Sequence, residues 1–261
     1  MEFIGQERIL TELKYLLSAV NDGDNYNILL RAPSGFGKTT LGLICINYLG
    51  LSNSYYYIPD NEGNINYDAI TERRFHFIDE IHTLKTPEVL YPFLDSGNFT
   101  FILASNESGY LKEPLINRCI PFIFEPYSDP ELYAIAQRCL ENNNLPDEFV
   151  REVARRGKRN PRIIKITCNR INYILRNYNV SNLNDYMGIL DNVLQIHSGG
   201  LNQHDMIYIE FLNRVGGKAS LNTISSGTGL DKNLLLSEVE PGLIYLGLIK
   251  ITSKGRELCQ F

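Results

Sequence analysis

Tyr26-Asn27-Ile28-Leu29-Leu30-Arg31-Ala32-Pro33-Ser34-Gly35-Phe36-Gly37-Lys38-Thr39-Thr40 is the stretch that decides how this chain reads. The run Tyr26-Asn27-Ile28-Leu29-Leu30 is short and apolar, as a buried parallel strand is. The stretch 41–49 that follows the turn has helical character. A strand, a glycine-rich turn and a helix, in that order, gather backbone N–H groups around an anion. Gly35 and Gly37 let the backbone turn tightly and approach phosphate closely. Lys38 then reaches the β- and γ-phosphates of a nucleoside triphosphate, and Thr39 offers a hydroxyl to Mg2+. The nucleotide-binding set is Ala32, Pro33, Ser34, Gly35, Phe36, Gly37, Lys38, Thr39 and Thr40. Ala32 stands where the GxxxxGK[ST] pattern has its first glycine, and it cannot take every backbone angle that glycine can.

Moving outward, Phe75-His76-Phe77-Ile78-Asp79-Glu80 is a second buried strand, ending in two acids. Asp79 is placed to hold Mg2+ through water, and Glu80 to polarise an attacking water. Further strands are expected at 99–106 and 121–124, and a helix at 6–21 with apolar positions Ile9, Leu10, Leu13, Leu16 and Leu17. Strands alternating with helices imply right-handed crossovers and a parallel sheet, which binds ligands at the C-terminal ends of its strands. Beyond Asp129 the strands stop, and three helices are expected at 132–140, 147–156 and 161–178. After Gly199-Gly200 come helices near 202–214 and 231–246, then two short strands around Thr252-Ser253-Lys254-Gly255-Arg256, the pattern of a winged helix. The fold class is therefore α/β: a core with a parallel sheet at 1–128, a helical lid at 129–196 and a winged helix at 197–261.

Composition narrows the function. At 44% hydrophobic and 21% charged, the 261 residues have an ordinary globular balance. No apolar run reaches the ~18 residues of a membrane span. Met1-Glu2-Phe3-Ile4-Gly5-Gln6-Glu7 has neither the basic nor the apolar region of a signal peptide. Cys45, Cys119, Cys139, Cys168 and Cys259 are widely spaced with no CxxC pair, so they read as small apolar residues of a reducing, cytoplasmic protein. The net charge of −5 argues against DNA binding by the whole surface. Residues 1–128 hold 9 basic against 16 acidic residues, 129–196 hold 10 against 8, and 197–261 hold 6 against 6. The stretch 154–165 carries six cations and no acid, so any nucleic acid must bind at local patches.

Phe3-Ile4-Gly5-Gln6, Gly35-Phe36-Gly37-Lys38-Thr39-Thr40, Phe77-Ile78-Asp79-Glu80-Ile81-His82 and Val89-Leu90-Tyr91-Pro92 resemble the RuvB family of AAA+ motors that drive Holliday-junction branch migration. The resemblance continues through Pro114-Leu115-Ile116-Asn117-Arg118, Asn160-Pro161-Arg162-Ile163 and Glu240-Pro241-Gly242-Leu243-Ile244-Tyr245-Leu246-Gly247-Leu248, in order, over nearly the whole chain. It implies further roles. Ile4 and Pro161 join the nucleotide-binding set. Asn106 takes the sensor position that orients the hydrolytic water, where the family usually has Thr. Arg118 matches the arginine finger that contacts the γ-phosphate held by a neighbouring subunit, and Arg162 the second sensor on the lid. Lys250, Lys254 and Arg256 are the candidate DNA-contacting cations of the wing. A finger acting in trans implies a homo-oligomer, a ring or spiral of six subunits by resemblance, working on double-stranded DNA.

Two features depart from the family. Leu94-Asp95-Ser96-Gly97-Asn98-Phe99 leaves room only for a tight turn where the family carries a β-hairpin that docks its junction-recognising partner. Some other recruiting protein is then expected. The sequence also opens directly at Phe3-Ile4-Gly5-Gln6, without the basic, proline-containing segment that helps enclose adenine in the family. Two further readings stay open: a AAA+ loader or remodeller that places a partner protein on DNA, and a nucleotide-gated adaptor that binds ATP without sustained translocation.

Overall fold

The computed structural model describes residues 3–106, 111–141, 144–178, 180 and 182–259. The chain divides into two compact units, Met1–Tyr127 and Ser128–Phe261. The first is built on a five-stranded sheet of β1 (Asn27–Arg31), β2 (Ser54–Tyr57), β3 (Phe75–Ile78), β4 (Thr100–Ser105) and β5 (Ile120–Ile123), in the order β2-β3-β4-β1-β5. Every pairing is parallel. β1 pairs on both edges, with Ile28 opposite Ile102 of β4 and Ile120 of β5. Its Ile28, Leu29 and Leu30 are wholly buried, which is why its sequence is continuously apolar rather than alternating. Strand β2 carries no local signal in the sequence. Ser54-Tyr55-Tyr56-Tyr57 lacks an aliphatic run because it is an edge strand, with Tyr56 exposed.

Helix α1 (Glu7–Asn21) buries Ile9, Leu13, Leu17 and Val20, one stripe at helical spacing. Its entry is pinned by the side chain of Gln6, which donates to the Glu125 carbonyl at 2.7 Å and accepts from the Glu125 N–H at 2.9 Å. That pair ties the start of α1 to the chain leaving β5. Helix α2 (Lys38–Leu49) lies close against β3: a Cβ on Gly42 would sit 2.3 Å from the Phe77 ring, so only glycine permits this approach. Two short helices, α3 (Tyr91–Asp95) and α4 (Glu113–Ile116), flank β4 in sequence.

The second unit begins with α5 (Asp129–Cys139), α6 (Asp147–Arg155), α7 (Pro161–Asn177) and α8 (Leu183–Gly188), the last not anticipated from sequence. A box between Ser128 and Glu131 caps α5, and the Asn160 side chain caps α7 by accepting from the Arg162 N–H. After α9 (Gln203–Arg214) come β6 (Lys218–Ala219), α10 (Leu221–Thr228), the helical stretch α11 (Lys232–Leu234) to α12 (Glu240–Tyr245), then β7 (Ile249–Thr252) and β8 (Gly255–Leu258). The three strands form an antiparallel sheet in the order β6-β8-β7. Its helices pack Tyr208, Leu212, Ile224, Leu235, Val239 and Leu243 on Ile249. Helix α10 was missed because Leu221-Asn222-Thr223-Ile224-Ser225-Ser226-Gly227-Thr228 has poor helix propensity. A Ser220 cap and burial of Ile224 hold it.

The core of the first unit holds a buried histidine. His76 lies wholly buried in β3, its ring stacked on Phe101 at 4.9 Å, with Nε2 2.9 Å from the Arg73 carbonyl and Nδ1 3.3 Å from the Tyr57 hydroxyl. Burial lowers its pKa from 6.5 to about 4. The unfolded imidazole accepts a proton near pH 6.5 that the folded one refuses until about pH 4, so stability present above pH 6.5 is lost as pH falls between these values. At ~1.36 kcal/mol per pH unit the loss is about 3 kcal/mol. His76→Phe keeps an aromatic ring and removes the titration. The fall in urea-unfolding free energy between pH 7 and pH 4.5 is expected to shrink by about that amount in this variant, and an unchanged fall would show that another group carries the acid sensitivity.

Candidate active site

The turn between β1 and α2 forms the anion cradle. Gly35 and Gly37 adopt φ of 88° and 95°, conformations natural to glycine. Ala32 is wholly buried and has no positive φ, so alanine is accommodated at this position without strain. The loop is supported from behind. Tyr127 donates its hydroxyl to the Phe36 carbonyl at 2.9 Å, and its ring lies 5.6 Å from that of Phe36. Phe3, one residue before Ile4, closes on Gly37, where an added Cβ would meet its ring at 3.0 Å. Lys38 is buried and donates from Nζ to the carbonyls of Ala32 at 2.9 Å and Pro33 at 3.2 Å. Its ammonium is thus held over the loop that Pro33, Ser34 and Gly35 form. Thr40 follows Thr39 in the first turn of α2.

Three loops converge on the same edge of the sheet. Thr39 donates its hydroxyl to Asp79 Oδ2 at 2.6 Å, while Asp79 Oδ1 accepts the Glu80 N–H at 3.0 Å. A hydroxyl and a carboxylate in contact are hard oxygen donors of the kind that suits Mg2+, which keeps water and phosphate oxygens for its other positions. Glu80 has φ 50°, left-handed for a non-glycine residue, at a cost of about 1–2 kcal/mol. Strain of this sort collects at sites whose geometry is over-determined by their surroundings. The carboxylate of Glu80 lies 3.3 Å from His82 Nε2, and Asn106, at the end of β4, brings its amide nitrogen to 3.1 Å from the same ring atom.

Sequence reasoning missed three residues here. His82 links Glu80 to Asn106. Tyr127 supports the phosphate loop. Tyr56, on the unanticipated edge strand, stacks on Phe77 at 5.1 Å and donates its hydroxyl to Asp79 Oδ2 at 3.4 Å. Burial, then the Asp79 charge, pushes the Tyr56 pKa up, so the phenol keeps its proton for that bond. The tyrosine run itself carried no signal of this contact.

Residues 1–105 match the model of the Holliday junction DNA helicase RuvB P-loop domain, and residues 198–260 match that of the RuvB C-terminal winged helix domain. The two matches together take in more than half of the chain. The chain belongs to the RuvB-like AAA+ family. It is 28% identical to the Holliday junction branch migration complex subunit RuvB of Oenococcus oeni over 295 residues, covering 99% of this chain and 87% of that protein. Identity to the Campylobacter hominis subunit is 29%, over 98% of this chain and 85% of that protein. The solved structure of the Thermotoga maritima RuvB P216G mutant superposes with a TM-score of 0.82 at 28% identity, covering 99% of this chain and 94% of that one. This chain is accordingly an ATPase of the AAA+ class.

The tight turn expected at 94–99 is visible in the fold. Between α3, ending at Asp95, and β4, starting at Thr100, the chain makes only a tight turn with Gly97 at φ 67°, tied down where Asn25 donates to the Gly97 carbonyl at 2.7 Å. The alignment with the Oenococcus protein runs over 295 residues while this chain has 261, so the relative carries residues with no counterpart here.

The remaining expected site residues lie on other elements. Arg118, between α4 and β5, rests its guanidinium over the Tyr91 ring at 4.5 Å. Its Nε donates to Asp95 Oδ1 at 2.9 Å and its Nη1 to the Pro114 carbonyl at 2.8 Å. None of these partners belongs to the nucleotide site. Pro161 and Arg162 open the first turn of α7 in the second unit. The structure separates the three wing cations. Lys254 is exposed at the β7–β8 turn, and Lys250 is exposed with Glu257 3.9 Å away. Arg256 is mostly buried and donates from Nε and Nη2 to both carboxylate oxygens of the buried Glu240, at 2.8 and 3.1 Å. The basic run 154–165 is likewise smaller than it reads, because Arg156 and Lys158 are buried in ion pairs with Glu152, Asp191 and Asp205.

Two substitutions probe the site. Lys38→Ala removes the buried cation, and both ATP affinity and turnover are expected to fall. Glu80→Gln keeps the shape and removes the charge, so ATP binding is expected to persist while kcat drops by roughly 10²–10⁴. Fluorescent-nucleotide binding alongside phosphate release separates the two, and near-normal release by Glu80→Gln would remove Glu80 from this role.

Proposed function

We propose that this chain is an ATP-driven motor of the branch-migration type that acts on double-stranded DNA as a homo-oligomeric ring or spiral. The observation that supports the reading is the Thr39–Asp79–Glu80 contact set lying within residues that match the RuvB P-loop domain, on the same chain as residues that match the RuvB winged helix. The domains are a core at 1–128, a lid at 129–196 and a winged helix at 197–261. ATP binds with its phosphates over the loop 32–40, near Ile4. Lys38 neutralises β- and γ-phosphate charge, and Glu80 takes the proton of the water that attacks the γ-phosphorus. Thr39 and, through water, Asp79 would hold Mg2+, which would supply charge neutralisation at the phosphates. Asn106 orients the water, Arg162 with Pro161 serves as the second sensor, and Arg118 acts on the nucleotide of the neighbouring subunit.

A second reading, a loader or remodeller that places a partner protein on DNA, is favoured by one observation, the tight turn at 96–99. On either reading a protein other than a RuvB-type junction-recognising partner recruits this chain. Strand displacement coupled to DNA-stimulated ATPase selects the motor; stimulation mainly by a protein partner, without displacement, selects the loader.

Trans action is tested by mixing. Arg118→Ala subunits are expected to bind ATP normally and, mixed with Lys38→Ala subunits, to recover part of the activity, since some interfaces then join an intact loop to an intact finger. An arginine finger contributes roughly 10³–10⁵ in rate, so even partial recovery is measurable. No recovery at any ratio, with subunit exchange verified, would place the site within one subunit.

The wing supplies a further test. Each phosphate contact contributes about −0.9 to the slope of log K against log salt. Removing the charges of Lys250 and Lys254 is expected to make the slope shallower by up to about 1.8 and to weaken binding equally across unrelated sequences. Arg256→Ala instead strands the buried Glu240 charge, and its main effect is expected in thermal stability, with a cost of about 3–5 kcal/mol. A sequence-dependent loss in the lysine variants would show base contacts in place of phosphate contacts.

A further inference from the structure

The ring of His82 stands between the two groups that handle the hydrolytic water. Glu80, in its left-handed conformation, starts the tight turn Ile81–Thr83, and the Thr83 N–H and hydroxyl both donate to the Glu80 carbonyl at 2.8 Å. Ile81 is buried beneath the turn. This geometry fixes where the ring can point. The His82 side chain is only 16% exposed, and its Nε2 faces Glu80 Oε2 at 3.3 Å and the Asn106 amide at 3.1 Å.

One ring nitrogen cannot donate to a carboxylate and accept from an amide N–H at once. The other ring nitrogen settles which it does. His82 Nδ1 is buried and has no hydrogen-bond partner among the described residues. A buried N–H left without an acceptor costs more than a bare lone pair, so the neutral ring keeps its proton on Nε2. Nε2–H then donates to Glu80, and the Asn106 amide, whose oxygen and nitrogen exchange places by a half-turn about its last bond, presents its oxygen to the ring. Both Asn106 N–H groups are thereby directed away from His82.

We propose that His82 is a positioning residue for hydrolysis, in which the Nε2–H holds the Glu80 carboxylate and, through the same atom, sets which way the Asn106 amide faces. The inference rests on Glu80 being the base that activates water. A side chain acting only through Glu80 and Asn106 affects the chemical step and leaves nucleotide affinity alone. It also loses its influence once Glu80 can no longer accept a proton.

The test is steady-state ATP hydrolysis by the full-length chain, with and without duplex DNA, alongside nucleotide affinity and thermal melting. His82→Phe keeps an aromatic ring and removes the donor. It is expected to lower kcat roughly tenfold to hundredfold, a part of the 10²–10⁴ that a positioned base contributes, with KM for ATP within about twofold. His82→Gln restores an N–H of similar reach and is expected to recover most of the loss, which a purely structural role would not predict. In the Glu80→Gln background, His82→Phe is expected to add nothing. An unchanged kcat in His82→Phe, with Glu80→Gln inactive, would overturn the inference and leave the base in place. Equal losses in His82→Phe and His82→Gln accompanied by a raised KM would also overturn it, making His82 a packing residue. Normal turnover by Glu80→Gln would remove the base assignment and this inference with it.

Discussion

The first unit depends on the double pairing of β1. Because β1 lies between β4 and β5 in parallel register, with Arg31 opposite both Ser105 and Ile123, the chain leaves three neighbouring strands at one edge of the sheet. β3 is brought to the same edge by its own pairing with β4. Thr39, Asp79 and Asn106 then follow their strands into a shared space without any long loop to order. A parallel sheet buried on both faces holds such an edge rigidly, and the bond of 2.6 Å between Thr39 and Asp79 is a consequence of that register.

Polar groups in this site restrain one another. Asp79 accepts from Thr39, Tyr56 and the Glu80 backbone, so its carboxylate has little rotational freedom. Glu80 is held through its strained backbone and through His82. The buried Lys38 ammonium is satisfied by loop carbonyls, which keeps a desolvated charge from standing alone. These polar groups are preorganised by hydrogen bonds from their neighbours, the arrangement that lowers reorganisation during a reaction.

The second unit uses its charges differently. Lys158, itself in a left-handed conformation, is buried against Asp205, whose other contact caps α9. Arg156 reaches Glu152, Asp191 and the Ile196 carbonyl. Glu240 is shared by Arg256 and the Tyr208 hydroxyl. Burying an ion pair brings little net stability, yet removing one partner is costly, so each of these charges depends on its partner once the unit is folded. Several cations that look available for nucleic acid in the sequence are thus committed to the fold.

How much of this could be read without coordinates follows from the range of each interaction. The phosphate loop, the acids after β3 and the buried β1 run are local signals, because a strand, a turn and a helix adjacent in sequence define the anion cradle by themselves. The helices followed by two short strands after Gly200 likewise announced the winged helix. Other features depend on tertiary structure. Edge strand β2 and helix α10 have weak local propensity and exist through packing, so no periodicity announced them. His82, Tyr56 and Tyr127 act across 24, 23 and 91 residues of chain on Asn106, Asp79 and Phe36, distances at which no spacing rule operates. Lys254 and Arg256, two residues apart, look equivalent as letters. The β7–β8 turn leaves one in water, while the strand that follows turns the other onto Glu240, because burial is a property of the folded surface and charge alone is a property of the sequence.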